Sequence, residues 1–173
     1  MARPGAVTMK GNPLTLVGNE VKAGQQAPDF TLHILGEGGI KPLTLADLKG
    51  KPTILSVVPS LDTPVCQVQT KKFNQELGAL AGKINAVTVS MDLPFAMKRF
   101  CGAENITSLI SASDYQTHKF GEDWGMLIDE IKILARGTFV LDAKGKVVYA
   151  ETVKEVASEP NYDAALAALK GVL

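Results

Sequence analysis

Two of the 173 residues are cysteines, and one of them closes the stretch PSLDTPVC, residues 59 to 66, directly behind the apolar run TILSVV. Two prolines, an acid, two hydroxyls and a thiol in one short segment form a concentration of reactive groups. A thiol attacks only as thiolate, and with its ordinary pKa of roughly 8.5 only a few per cent is ionised at neutral pH. Val65, Val68, Phe73, Leu77 and Leu80 recur at close to helical spacing, which predicts a helix ending near Gly82. Cys66 then falls in a first helical turn, where unpaired N–H groups and the positive end of the helix dipole favour an anion. Complete ionisation gains at most about 30-fold over that few per cent, whereas enzymes supply roughly 10⁶-fold or more. The larger part must come from dipoles arranged around charge that builds up during reaction. Thr63, three residues before the cysteine, can turn its hydroxyl toward the same cavity as an N-capping side chain does, and on the residues alone it is read as a helix cap. A carboxylate opposes thiolate formation, so Asp62 is assigned no chemistry and is expected to face solvent.

The second cysteine, Cys101, lies in DLPFAMKRFC. On the residues alone it is either a small buried hydrophobe or a partner thiol that condenses with an oxidised cysteine. The segment CQVQ lacks the second thiol of a Cys-x-x-Cys pair, which argues against a thiol-disulfide oxidoreductase. His33 and His118 share no ligand spacing with each other or with the cysteines, so no metal is expected. GEGG lacks the context of a dinucleotide loop and reads as a turn. Trp124 is read as a packing anchor or as the border of a substrate or dimer surface.

The elements that must position these groups follow from the apolar pattern. VTMK and LTLVG flank GNP, predicting an N-terminal β-hairpin over residues 1–18 that looks like an appendage. APDFTLHIL and KPLTLADLKG predict a further pair of short strands around GEGG. TILSVV (53–58) and INAVTVS (84–90) are continuous apolar, β-branched runs of the kind buried on both faces of a sheet. LPFAMKRFCGA reads as a short helix opened by Pro94 and closed near Gly102, with Cys101 near its end. SLISAS, GTFVLD and KVVYA add three strands, and PNYDAALAALKGVL a closing amphipathic helix. The alternation predicts one α/β domain over residues 1–173 with a mixed sheet.

Composition narrows the class. Eighteen basic residues balance eighteen acidic ones with no basic block, which excludes a nucleic-acid backbone as the expected partner. No apolar run is long enough to span a bilayer and the first residues lack a signal-peptide core, so the expectation is a cytoplasmic protein without a membrane role.

PSLDTPVC matches the Pro-x-x-x-Thr-x-x-Cys motif of the peroxiredoxins, and MDLPFAMKRFCGAE resembles the resolving-cysteine segment of their bacterial thiol peroxidase subfamily. The resemblance extends from the hairpin through ARGTFVLD to EPNYDAALAALK, essentially the whole chain. It implies a thioredoxin-like α/β fold, a mixed central sheet flanked by helices, and a thiol-dependent peroxidase acting on hydrogen peroxide and organic hydroperoxides. In the implied site Cys66 is the peroxidatic nucleophile, Thr63 and the Cys66 N–H hold the peroxide, Pro59 shields the thiolate, and Arg136 completes the site. Cys101 becomes the resolving thiol of an intrachain disulfide, with thioredoxin as reductant, no bound cofactor, and a homodimer as the common assembly. The rival reading is a non-catalytic redox-sensing relay module. A disulfide needs Cα atoms within about 7 Å. With the two cysteines on different helices, a terminal turn is expected to open during the cycle, eased by Gly102.

Overall fold

Every residue of strand β5 (Thr53–Val57) is buried, as the run TILSVV predicts, because both of its faces are covered. The computed structural model describes residues 1–173 and places β5 third from one edge of a seven-stranded sheet. The flanking strands are β6 (Asn85–Ser90) and β9 (Gly137–Leu141), parallel and antiparallel to β5 respectively. Outward lie β7 (Ile110–Ser113) with the hairpin β3 (Thr31–Gly36) and β4 (Gly39–Thr44) on one side, and β10 (Val147–Thr152) on the other. The sheet is mixed, as the alternation of elements implies.

Side chains alternate between two apolar layers along each central strand. Ile54, Ala86 and Val140 join one cluster with Cys66, Phe73, Met97 and Leu169. These come from helices α2 (Pro64–Leu77), α3 (Pro94–Ala103) and α5 (Tyr162–Lys170). Leu55, Val87 and Phe139 point the other way, into a layer with Leu45 and Leu48 of the short α1 (Leu45–Leu48) and Phe120 of α4 (Lys119–Asp123). Trp124 anchors that layer: it stacks on Phe120 at 5.1 Å and meets Phe139 edge-on at 5.1 Å. A packing role is thus the one Trp124 fills. The short α4, which begins after His118 in a left-handed conformation (φ 58°), has too few residues for a periodic signal.

The N-terminal hairpin, β1 (Ala2–Met9) and β2 (Asn12–Val17), is present, but it is no appendage. Val7 and Leu16 are fully buried in the Trp124 layer, and β2 pairs with β8 (Leu127–Ile128), a strand of two residues that sequence reasoning passes over. The hairpin also braces the segment after β10. Thr8 N–H donates to the Lys154 carbonyl at 2.7 Å, Val156 N–H donates to the Thr8 carbonyl at 2.8 Å, and the Glu155 carboxylate accepts from Thr8 Oγ1 and Gly11 N–H.

Backbone N–H donation, from Ala157 first and then Gly11, lowers the Glu155 carboxyl from its ordinary 4.5 to about 2. Such a carboxyl binds protons more weakly folded than unfolded, so its contribution to stability is complete above about pH 5 and is lost as pH falls toward 2. Denaturant unfolding followed from pH 5 to pH 2.5 should show Glu155→Gln less stable than the parent at the upper end, with the difference narrowing at the lower.

Candidate active site

Pro59 ends the buried strand run and is itself buried, and Val58 N–H still donates to the Val89 carbonyl at 2.9 Å. The chain then turns through Ser60–Thr63 into α2, with Pro64 in the first helical positions where its missing N–H costs nothing. Cys66 follows in the first turn, fully buried. Thr63 stands at the N-cap position with extended backbone (φ −114°, ψ 148°), but its side chain makes no capping bond. Its hydroxyl donates instead to the Ser60 carbonyl at 2.8 Å, which corrects the expected cap. The first-turn N–H groups of α2 are therefore not consumed by Thr63, and the residue is exposed at the mouth of the loop. Asp62 faces solvent as expected, and reaches Arg99 of α3 at 3.7 Å.

The face that α2 turns to the sheet differs from the one its apolar residues predict. Val68 is 47% exposed, whereas Gln69 and Thr70 are fully buried beside Phe73 and Leu77. Cys66, Gln69, Thr70, Phe73 and Leu77 follow the three-and-four spacing of one helical face. Gln69 is buried because its amide is satisfied twice: Nε2 donates to Ser56 Oγ at 2.8 Å and Oε1 accepts from Arg136 Nη1 at 2.9 Å. Thr70 Oγ1 donates back to the Cys66 carbonyl at 2.9 Å.

Arg136 is 2% exposed, far from the solvated surface position an isolated arginine before a strand usually takes. Three of its nitrogens are committed: Nε donates to the Val156 carbonyl at 2.8 Å, Nη1 to Gln69, and Nη2 to Cys66 Sγ at 3.3 Å. The guanidinium is thus fixed by a side chain of α2 and by the segment that the N-terminal hairpin braces. Gly137 beside it is required by space, since a Cβ there would lie 2.4 Å from the Glu151 carbonyl oxygen on the neighbouring strand. Sequence reasoning missed Gln69 and Ser56. The spacing CQVQ, three residues from thiol to amide, was the available signal, because it places both groups on one face.

Cys101 sits in the last turn of α3, half-buried, with Sγ 3.0 Å from Ser111 Oγ on β7. Burial pushes its thiol up, offset in part by the Ser111 contact. A cavity of about 250 Å³ beside it is lined by Ile34, Met97, Leu109 and Ile110 among others. Both cysteines are free thiols, each with a different partner, and both helices are intact. The structure therefore brings Cys66 and Arg136 together with Thr63 at the loop, while Cys101 packs against the same apolar cluster as Cys66 and has its own hydrogen-bond partner. His33 meets the Tyr115 ring edge-on at 6.2 Å.

The family model described as Redoxin matches residues 22–166. A protein of Bacillus subtilis (strain 168) named thiol peroxidase is 50% identical over 96% of this chain and 98% of its own length. One from Streptococcus pneumoniae (strain ATCC BAA-255 / R6) with the same name is 46% identical over 96% of this chain and 99% of its own. Among solved structures, a peroxiredoxin-like protein from Aquifex aeolicus superposes with TM-score 0.88 at 40% identity, covering 96% of both chains. The thiol peroxidase from Chromobacterium violaceum, at 17% identity and TM-score 0.83 over 95% of both chains, shares the thioredoxin-like fold. With a buried thiol at a helix start and relatives matched over nearly its whole length, the chain belongs to the redoxin family, among the peroxiredoxins of the thiol peroxidase group.

Proposed function

We propose that this chain, acting as one domain over residues 1–173, is a thiol-dependent peroxidase that reduces hydrogen peroxide and organic hydroperoxides through Cys66. The observation that carries the reading is the buried arginine: Arg136 donates to Cys66 Sγ at 3.3 Å from a position where two other bonds fix its orientation. Such a group stabilises the thiolate and, in a water-poor site, the charge that builds on the departing oxygen. The Cys66 thiolate attacks one peroxide oxygen, the O–O bond breaks, and the leaving oxygen takes a proton to become water or alcohol. Cys66 is left as a sulfenic acid. The peroxide is held by the Thr63 hydroxyl and by the Cys66 N–H of the first turn, and Pro59 keeps bulk water from the sulfur.

In the second step the Cys101 thiol attacks the Cys66 sulfenic acid, forming an intrachain disulfide and releasing water. Each sulfur first leaves its own partner, Arg136 for Cys66 and Ser111 for Cys101, and in the proposed cycle a terminal turn of α2 or α3 opens to let them meet. Local opening of this kind needs far less free energy than global unfolding. An external dithiol, thioredoxin, then reduces the disulfide. On this reading the protein works in the cytoplasm as a homodimer, with no bound cofactor or metal. No helix is long and apolar enough to cross a membrane.

Peroxide consumption with thioredoxin and its reductase tests the reading. Many equivalents of peroxide removed per protein are expected. Consumption that stops at about one equivalent would instead indicate a sensing module.

A further inference from the structure

Asp92 lies in the loop between β6 and α3 and makes no hydrogen bond to Cys66 or Arg136, yet its carboxylate holds the loop that leads into the Cys66 helix. Oδ1 accepts from Ser60 Oγ at 2.7 Å, and Oδ2 accepts from the Leu61 N–H and from Ser90 Oγ, each at 2.7 Å. Asp92 is fixed in turn, because its N–H donates to Ser90 Oγ at 3.1 Å and its carbonyl accepts from Ser113 Oγ at 2.5 Å. Ser60 carries the connection onward: its carbonyl accepts both the Thr63 hydroxyl and the Thr63 N–H. Two residues beyond Asp92, Pro94 opens the helix that bears Cys101. A single carboxylate therefore joins the entry of one cysteine's helix to the entry of the other's. The parallel Asp62–Arg99 pair, at 3.7 Å and exposed on both sides, adds little. Hydrogen bonds to an ionised acceptor are the stronger class.

We propose that Asp92 is a positioning residue that clamps the 60–63 loop in the form that reacts with peroxide, and so sets how readily the Cys66 helix opens toward Cys101. The inference rests on the roles given above to the two cysteines. Peroxide attack uses the closed loop, with Arg136 on the sulfur, whereas disulfide formation uses the open one. Condensation of thiol and sulfenic acid releases water and draws on no further oxidant. While the closed form dominates, loosening the clamp multiplies the small open population but barely lowers the closed one.

Asp92→Ala should therefore speed conversion of sulfenic acid to disulfide by about tenfold or more, the scale of one lost charge-assisted bond. It should slow the first oxidation by less than about threefold. Asp92→Asn, whose amide can still accept from Leu61 N–H and donate to Ser60 Oγ, should return most of the parent behaviour. Rapid-quench thiol blocking and mass analysis read both steps. A general loss of stability lowers the melting temperature without accelerating a step, so an unchanged or slower disulfide step in folded Asp92→Ala overturns the proposal. Should that variant fail to fold, Ser60→Ala removes one of the carboxylate's bonds and should shift the same rate in the same direction, and no shift there overturns it. Hydrogen exchange on the reduced protein separates this proposal from its premise. Parent protein that forms no Cys66–Cys101 disulfide overturns the role of Cys101, whereas unchanged protection of residues 61–66 in Asp92→Ala overturns the clamp itself.

Discussion

Cys66→Ser should reduce peroxide turnover to background, a loss of at least several orders of magnitude given what enzymes supply over uncatalysed reaction. A serine hydroxyl at this position would still receive the Arg136 N–H, but its oxygen is not ionised near neutral pH and is a far weaker nucleophile toward peroxide than a thiolate. Cys101→Ser should leave the first oxidation intact and stop the cycle after about one equivalent, unless a small thiol takes the place of the missing one. The asymmetry follows from the two settings. Cys66 is fully buried at a helix start and receives a guanidinium N–H, whereas the hydrogen-bond partner of the Cys101 thiol is the neutral Ser111 hydroxyl and burial raises that thiol. Steady-state consumption with each variant, beside the melting temperature of each, distinguishes lost chemistry from lost structure.

Arg136→Met should lower the rate of the first oxidation by roughly 10²- to 10³-fold, the range seen when one preorganised donor is removed from a site of developing charge. The fraction of Cys66 in the thiolate form, followed by ultraviolet absorbance against pH, should explain only a small part of that loss, because full ionisation is worth at most about 30-fold. Gln69→Leu provides the intermediate case. It keeps the guanidinium but removes the acceptor that aims it, and leaves Ser56 Oγ without its amide partner, so a loss of roughly tenfold is expected. If the Arg136→Met loss is accounted for entirely by the thiolate titration, the role assigned to Arg136 during O–O cleavage fails. Both variants disturb buried polar groups, so the comparison is made at a temperature where circular dichroism shows them folded.

Strands β5 and β6 were legible because burial on both faces demands an unbroken apolar run, and α3 because Pro94 marks its start. The buried face of α2 is not the one hydropathy marks at Val68. Hydropathy places valine inside and glutamine outside, but Gln69 is buried because Ser56 and Arg136 satisfy it, and those partners come from strands distant in sequence. For the same reason nothing local marked Arg136 as buried: its acceptors are Val156, Gln69 and Cys66. The motif around Cys66 gave the position of the thiol and of Thr63, though not the direction of the Thr63 hydroxyl, which turns back to Ser60 rather than capping the helix. Strand β8 and helix α4 are too short to carry a period, and their places follow from β2 and Trp124.

In the proposed mechanism Cys66 is the sulfur that peroxide oxidises first. The direct measurement treats reduced protein with one equivalent of hydrogen peroxide in the presence of a sulfenic-acid-specific trap, using the Cys101→Ser variant so that the intermediate persists, and maps the adduct by peptide mass. A near-stoichiometric adduct on Cys66 is expected. In the parent, a Cys66–Cys101 disulfide should replace the adduct. An unmodified Cys66 in that variant, or an adduct confined to Cys101 when the parent is trapped, would contradict it.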